Sequence, residues 1–158
     1  MIDRYTTPDM AKIWSDENKY ETWKKVEIAV TEVLTDRGDV PKESLDVIKK
    51  KAAFSVDRIL EIEKTTRHDV IAFLTNMAEN IGPDSRFIHM GMTSSDLLDT
   101  SLALLCKEAG ELIHKKINKF QQVLREKAVI HRESFQIGRS HGVHAEPITF
   151  GLKLALWS

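Results

Sequence analysis

Residues 95–131 read SDLLDTSLALLCKEAGELIHKKINKFQQVLREKAVIH. No proline interrupts them. Apolar residues fall at Leu98, Leu102, Leu105, Ala109, Leu112, Ile113, Ile117, Phe120, Leu124 and Ala128. Spacings of three and four put these side chains on one seam of one helix. At about 1.5 Å per residue the helix runs roughly 50 Å. A domain of this size does not need such a length, and a long helix with an apolar seam packs into a bundle. The seam is expected to drive association, at least to a dimer. Gly110 is an interior weakness of about 1 kcal/mol and a place to bend.

Shorter helices are predicted upstream, each with its own stop and start. Asp16 can cap a helix to about Arg37, with Trp23, Val26, Val30, Val33 and Leu34 on one face and Gly38 at its end. Pro41 opens a short helix through Ala53. Ser55 can cap another carrying Val56, Ile59, Leu60 and Ile62. Asp69 can cap a third, with Val70, Phe73, Leu74, Met77 and Ile81 inward and Gly82 closing it. Phe87 to Met92 lacks helical periodicity and reads as extended or looped. Downstream, Glu133 to Glu146 is polar and contains glycine, and reads as an irregular loop. Pro147 fits the first turn of a last helix, ITFGLKLALW, apolar nearly all round. Little sequence follows to cover it, so either the sequence is expected to be truncated or partner chains complete the core.

The predicted fold class is all-α. A small N-terminal helical domain is expected over residues 1–93. Over 94–158 the long helix begins a central helical bundle.

Composition limits the function classes. The chain has 158 residues, 42% of them hydrophobic and 30% charged, with a formal net charge of −1. That balance suits a folded domain and supplies no global field toward nucleic acid or a membrane. Lys49 to Lys51 reads as a solvated helix face. The single cysteine, Cys106, lies among Leu102, Leu104 and Leu105 and is expected to be a small core residue. It cannot form a disulfide within the chain, which fits a reducing compartment. No apolar run approaches the ~18 residues of a membrane span, and MIDRYTTPDM is no signal peptide. The expected location is the cytoplasm.

Three segments carry residue types suited to chemistry. Arg67-His68-Asp69 stands at a predicted helix start, where free N–H groups and the helix dipole favour an anion. The alternative is that Asp69 caps the helix and His68 packs at its end. Met92-Thr93-Ser94-Ser95-Asp96 opens the long helix. Its hydroxyls can hold a carboxylate or phosphate, or Ser94 or Ser95 can simply cap the helix with Asp96 favouring the dipole. The third segment is Gly138-Arg139-Ser140-His141-Gly142-Val143-His144-Ala145-Glu146-Pro147. Its histidines lack the helical spacing of a metal motif, so no metal or other cofactor is expected. A glycine-flanked His141 suits acid–base work near neutral pH. His89 stands in the non-helical stretch before Gly91. His114 and His131 lie on the long helix as solvated or packing residues.

Taken in order, RYTTPDM, TTRHDVIAF, HMGMTSSDLLDT and GRSHGVHAEPITFG resemble the adenylosuccinate lyases, a family of the fumarase and aspartase superfamily. The resemblance covers the whole chain, roughly the first third of a family member. It implies a β-elimination that releases fumarate from adenylosuccinate or from SAICAR, leaving AMP or AICAR. It implies catalytic roles for His141, the general acid, and for His68. It implies substrate-binding roles for Arg4 and Tyr5 (nucleotide), Arg67, His68 and Asp69, His89 (phosphate region), and Thr93 and Ser94 (a succinyl carboxylate). The partners implied are a small nucleotide substrate and further copies in a tetramer. The family's general base is a serine in a mobile loop with no counterpart in these residues, so the 158 residues alone are expected to be inactive. The alternatives are another lyase of the superfamily with a different amine, or a non-catalytic helical oligomerisation module.

Overall fold

Two helices start one residue earlier than the sequence reading put them, because the capping side chain precedes the aspartate. The computed structural model describes residues 2–158. After a 3-10 turn at Asp3–Tyr5, α1 spans Pro8–Ile13 and α2 spans Asp16–Asp36. The Ser15 hydroxyl caps α2, accepting from the Asn18 N–H at 3.2 Å. Pro41 stands before α3 (Lys42–Lys51), and Ser55 caps α4 (Val56–Thr66) as expected. His68, not Asp69, caps α5 (Asp69–Ile81): its Nδ1 accepts from the Ile71 N–H at 3.3 Å. Ser15 and His68 have the extended backbone a cap requires, while Asp16 and Asp69 are already helical and favour the dipole from the first turn. A 3-10 turn at Pro83–Phe87 precedes α6, which runs Ser94–Ile130.

The chain forms two compact units, residues 1–109 and 110–158. The division falls inside α6, between Ala109 and Gly110; the helix itself begins at Ser94. In the first unit the core is built on aromatic rings. Tyr20 stacks on Phe73 at 5.7 Å, and Trp23 meets both edge-on at 5.2 and 5.4 Å. Ile48, Ile59, Met77, Ile81 and Leu97 close around them. The buried face of α2 therefore carries Tyr20, Trp23, Val26, Glu27 and Thr31. Val33, expected on that face, is exposed. Val33 stands seven residues after the buried Val26, on nearly the same face, so this end of the stripe is left uncovered rather than turned away. Arg58 of α4 reaches Glu79 of α5 at 2.7 Å. Hydrogen bonds to Glu79 and then Glu61 raise the Arg58 pKa, an exposed contact of little worth to stability.

The α6 seam is covered in places only. Leu105, Ala109 and Leu124 are buried, whereas Leu102, Ile113, Ile117 and Phe120 are exposed. Cys106 is exposed as well, contrary to its expected place in the core. It follows Leu105 by one residue, so a 100° step turns it off the buried stripe. Among the described residues no helix is long and apolar enough to cross a membrane.

The second unit corrects the reading of residues 133–149. They form a β-hairpin, β1 (Phe135–Ser140) and β2 (Val143–Thr149), rather than an irregular loop. Pro147 pairs with Ile137 inside β2 and does not open a helix. Its missing N–H is tolerated because a two-stranded ladder leaves every strand with a free edge. The last helix, α7, starts only at Phe150 and ends at Ala155, with the Thr149 hydroxyl as its cap. It is tied to the end of α6 by Phe150 N–H donating to the Ser134 carbonyl (2.8 Å) and Gly151 N–H to that of His131 (2.9 Å). The polar, glycine-bearing composition hid the strands because both faces of the hairpin are largely exposed, so no alternation was needed.

Candidate active site

Thr65-Thr66-Arg67-His68-Asp69 is a tight link between two packed helices. α4 ends at Thr66, and Arg67 takes a left-handed backbone (φ 53°) while its N–H closes on the Glu63 carbonyl at 2.8 Å. The Thr66 hydroxyl spans the link, lying 3.3 Å from the Ile62 carbonyl oxygen and 3.2 Å from that of His68. His68 then extends and caps α5. Accepting at Nδ1 requires that nitrogen to be bare, so the proton of the neutral ring sits on Nε2. A side chain does cap α5, but it is His68 and not the Asp69 of the alternative reading, and Nε2–H is left as a donor. Arg67 is exposed.

His89 is held differently. It too has a left-handed backbone, φ 60°. Its peptide N–H donates to Glu27 Oε2 at 2.8 Å, and its Nδ1 lies 2.7 Å from Glu27 Oε1. Glu27 has no exposed side-chain surface, and His89 keeps 20%. The sequence reading passed over Glu27. The signal was present: Tyr20, Trp23 and Glu27 follow the i, i+3, i+7 stripe, so a carboxylate stood on the apolar face of α2. Buried charges are expensive unless hydrogen-bonded, which makes such a residue worth inspection.

Thr93, rather than the expected Ser94 or Ser95, stands immediately before α6. Its N–H and hydroxyl both donate to Asp96 Oδ2, at 2.8 and 3.0 Å, so the third helical residue reaches back to it, one half of a capping box. Those bonds, the Thr93 amide first and its hydroxyl second, hold the Asp96 carboxyl below its usual pKa of 3.8, with a smaller contribution from His89 nearby. Ser94, the first residue of α6, is half-buried. Arg4 stacks on the Tyr5 ring, 4.8 Å from its centre, and both are exposed. Among the described residues no hydrogen bond or ion pair joins that pair to the Arg67–Asp69 link or to His89. A groove of about 780 Å³ lined by Val26, Val30, Val33, Leu34, Met90 and Leu104 is apolar and contains none of the predicted site residues.

His141 belongs to the second unit. Ser140 pairs with Val143, so His141 and Gly142 are the two turn residues of the hairpin. Their φ values, 46° and 79°, are both positive, the pattern of a type I′ turn. Glycine meets that demand freely. The histidine is set at the exposed tip by the turn itself. Below it, Gly138 faces a bulge in β2, where a Cβ would come within 2.8 Å of the Glu146 carbonyl oxygen.

A family model described as Lyase matches residues 3–158. The chain belongs to this lyase family. Among curated relatives it is similar to adenylosuccinate lyase of Bacillus subtilis, 47% identical over 157 residues, and to that of a Synechocystis species, 54% identical over the same length. Each match spans 99% of this chain and 36% of the relative, so the chain covers about a third of the length of these family members. Among solved structures it is similar to the 3-carboxy-cis,cis-muconate lactonizing enzyme of Pseudomonas putida, with a TM-score of 0.86 and 28% identity, over 98% of this chain and 37% of that one. A fumarate lyase of a Mesorhizobium species shares the fold at a TM-score of 0.87 and 24% identity, over 94% of this chain and 36% of that one. The all-α class with a long helix thus agrees with the fold of these solved structures.

The left-handed cap at Arg67 allows one separation of stability from binding. Arg67→Gly should leave the thermal midpoint unchanged or raise stability by up to about 1 kcal/mol, since glycine takes that backbone without strain. In an active enzyme the same change should raise the Michaelis constant about tenfold or more. A lower midpoint with an unchanged Michaelis constant would make Arg67 a packing residue.

Proposed function

We propose that this chain supplies substrate-binding and proton-donating residues to a lyase that eliminates fumarate from adenylosuccinate, giving AMP, and from SAICAR, giving AICAR. One observation carries the reading. Among the described residues the non-glycine positions with positive φ are Arg67, His89 and His141, and each had been singled out for its chemistry. Such backbone costs of order 1–3 kcal/mol and persists where a side chain must be aimed. Histidine tolerates this region better than most residues, so Arg67 bears the largest cost.

In the proposed reaction a base outside these residues takes a proton from the carbon beside a succinyl carboxylate. Charge builds on that carboxylate, the C–N bond breaks, and His141 protonates the departing nitrogen. Donors at the start of α6, Ser94 and Thr93, stabilise the growing charge. Arg67 and Asp69, with His68 through Nε2–H, contact the substrate, His68 also serving catalysis. Arg4, Tyr5 and His89 serve the nucleotide and its phosphate. Residues 1–93 form the N-terminal helical domain and 94–158 begin the central bundle. The exposed Ile113, Ile117 and Phe120 of α6 support a homo-oligomer, a tetramer in the complete enzyme. A cytoplasmic location and independence of metal complete the reading.

The test is a chimera in which this chain is joined to the portion of the Bacillus subtilis relative beyond the matched stretch. It should release fumarate from adenylosuccinate, followed by ultraviolet absorbance, while the 158 residues alone should not. Turnover of argininosuccinate instead would reassign the substrate. Turnover of neither, in a folded chimera, would reduce the chain to an assembly module.

A further inference from the structure

We propose that Glu27 is the positioning residue for His89: it fixes which ring nitrogen carries a proton and which faces a ligand. The inference rests on the reading of His89 as a phosphate-region residue for its ligand, but not for its geometry.

The two contacts from Glu27 go to one residue through two different groups. Oε2 accepts from the His89 peptide N–H, and Oε1 lies 2.7 Å from Nδ1. With Glu27 as a carboxylate both of its oxygens only accept, and Nδ1 then carries a proton. Neutral His89 is then the Nδ1–H tautomer with a bare Nε2, the opposite of His68, whose Nδ1 accepts. Glu27 has no exposed side-chain surface, and among the described residues no lysine or arginine pairs with it. The hydrogen bonds of its buried carboxyl group go to this one histidine, through backbone and ring together. The backbone bond also holds the left-handed φ of 60° that turns the ring toward Glu27. The ring's remaining 20% exposure leaves Nε2, which makes no hydrogen bond among the described residues, as the nitrogen available to a ligand. When a second proton enters, it enters there, and Nε2–H then donates to a phosphate oxygen with the carboxylate behind the ring.

Glutamine cannot replace this carboxylate. Its amide offers one acceptor oxygen and an NH₂ donor, while His89 presents two donors. Either the amide donates to Nδ1 and the ring proton moves to Nε2, or the peptide N–H loses its acceptor.

Long-range ¹H–¹⁵N spectra of the 158-residue chain decide the matter. Wild-type His89 should show Nδ1–H with bare Nε2 when neutral, and His68 the reverse. In Glu27→Gln, helicity by circular dichroism retained, His89 should switch to Nε2–H or its amide should exchange at least tenfold faster. A wild-type Nε2–H tautomer, or a variant with ring and amide both unchanged, overturns the proposal. If Glu27→Gln fails to fold, the wild-type tautomer decides alone. The same spectra titrated with AMP test the ligand: Nε2 of His89 should shift, with at least tenfold weaker affinity in Glu27→Gln. An unmoved Nε2 on an intact Nδ1–H ring overturns the phosphate reading separately, because the tautomer needs no ligand.

Discussion

His141→Asn is expected to cut turnover of the active chimera at least ~100-fold while leaving the hairpin as stable as before, or more so. The two effects have separate causes. Asparagine followed by glycine is the favoured pair for a type I′ turn, and positions 141 and 142 have φ values of 46° and 79°. Asparagine therefore fits the backbone at least as well as histidine does. It has no proton to give to a leaving amine near neutral pH, so the general acid is removed with the turn intact. Turnover should be read by fumarate release, and hairpin stability by amide exchange at Ser140 and Val143. Near-normal turnover would reject His141 as the acid. A less protected hairpin would reject the turn argument. His141→Gln should lose the same activity without the gain at the turn.

Phe73→Ala is expected to cost about 3–5 kcal/mol of stability, the range for removing a buried aromatic ring. Phe73 has no exposed surface, and its ring contacts those of Tyr20, Trp23 and Phe54. Removing it takes away the stacking partner of Tyr20 and leaves a cavity lined by rings too large to collapse inward. For a unit of this size each kcal/mol is about 4–8 °C in Tm, so the midpoint should fall by more than 10 °C, on the order of the product of those two ranges. A denaturant melt of the 158-residue chain measures it. A cost under about 1 kcal/mol would mean that this cluster does not hold the first unit together.

These two sites also differ in how legible they were. Phe73 could be placed inward from the spacing Val70, Phe73, Leu74, Met77 and Ile81, because a helix with one wet and one dry face leaves a 3.6-residue record. His141 could be singled out by its glycine neighbour and by the resemblance, but not as a hairpin tip. A two-stranded ladder with both faces largely exposed imposes no alternation, and Pro147 imitated a helix start. The caps were missed by one residue at Ser15 and His68 because serine, histidine and aspartate stand side by side there, and only backbone angles tell cap from first turn. Glu27 was legible as an anomaly in an apolar stripe, yet its partner is 62 residues away in sequence, and nothing local names it.

The long stretch 95–131 determined by itself that the chain contains one long helix, since an unbroken seam without proline admits little else. Observed at Ser94–Ile130, it matches to within a residue at each end. Which parts of that seam are covered was decided by tertiary structure alone. Leu105 and Ala109 are dry while Ile113 and Ile117 are wet, although the four follow the same repeat. Periodicity records the face a helix offers. Burial depends on what else in the fold comes to meet it, as does the pairing of Glu27 with His89, and that information is spread over residues far apart in the chain.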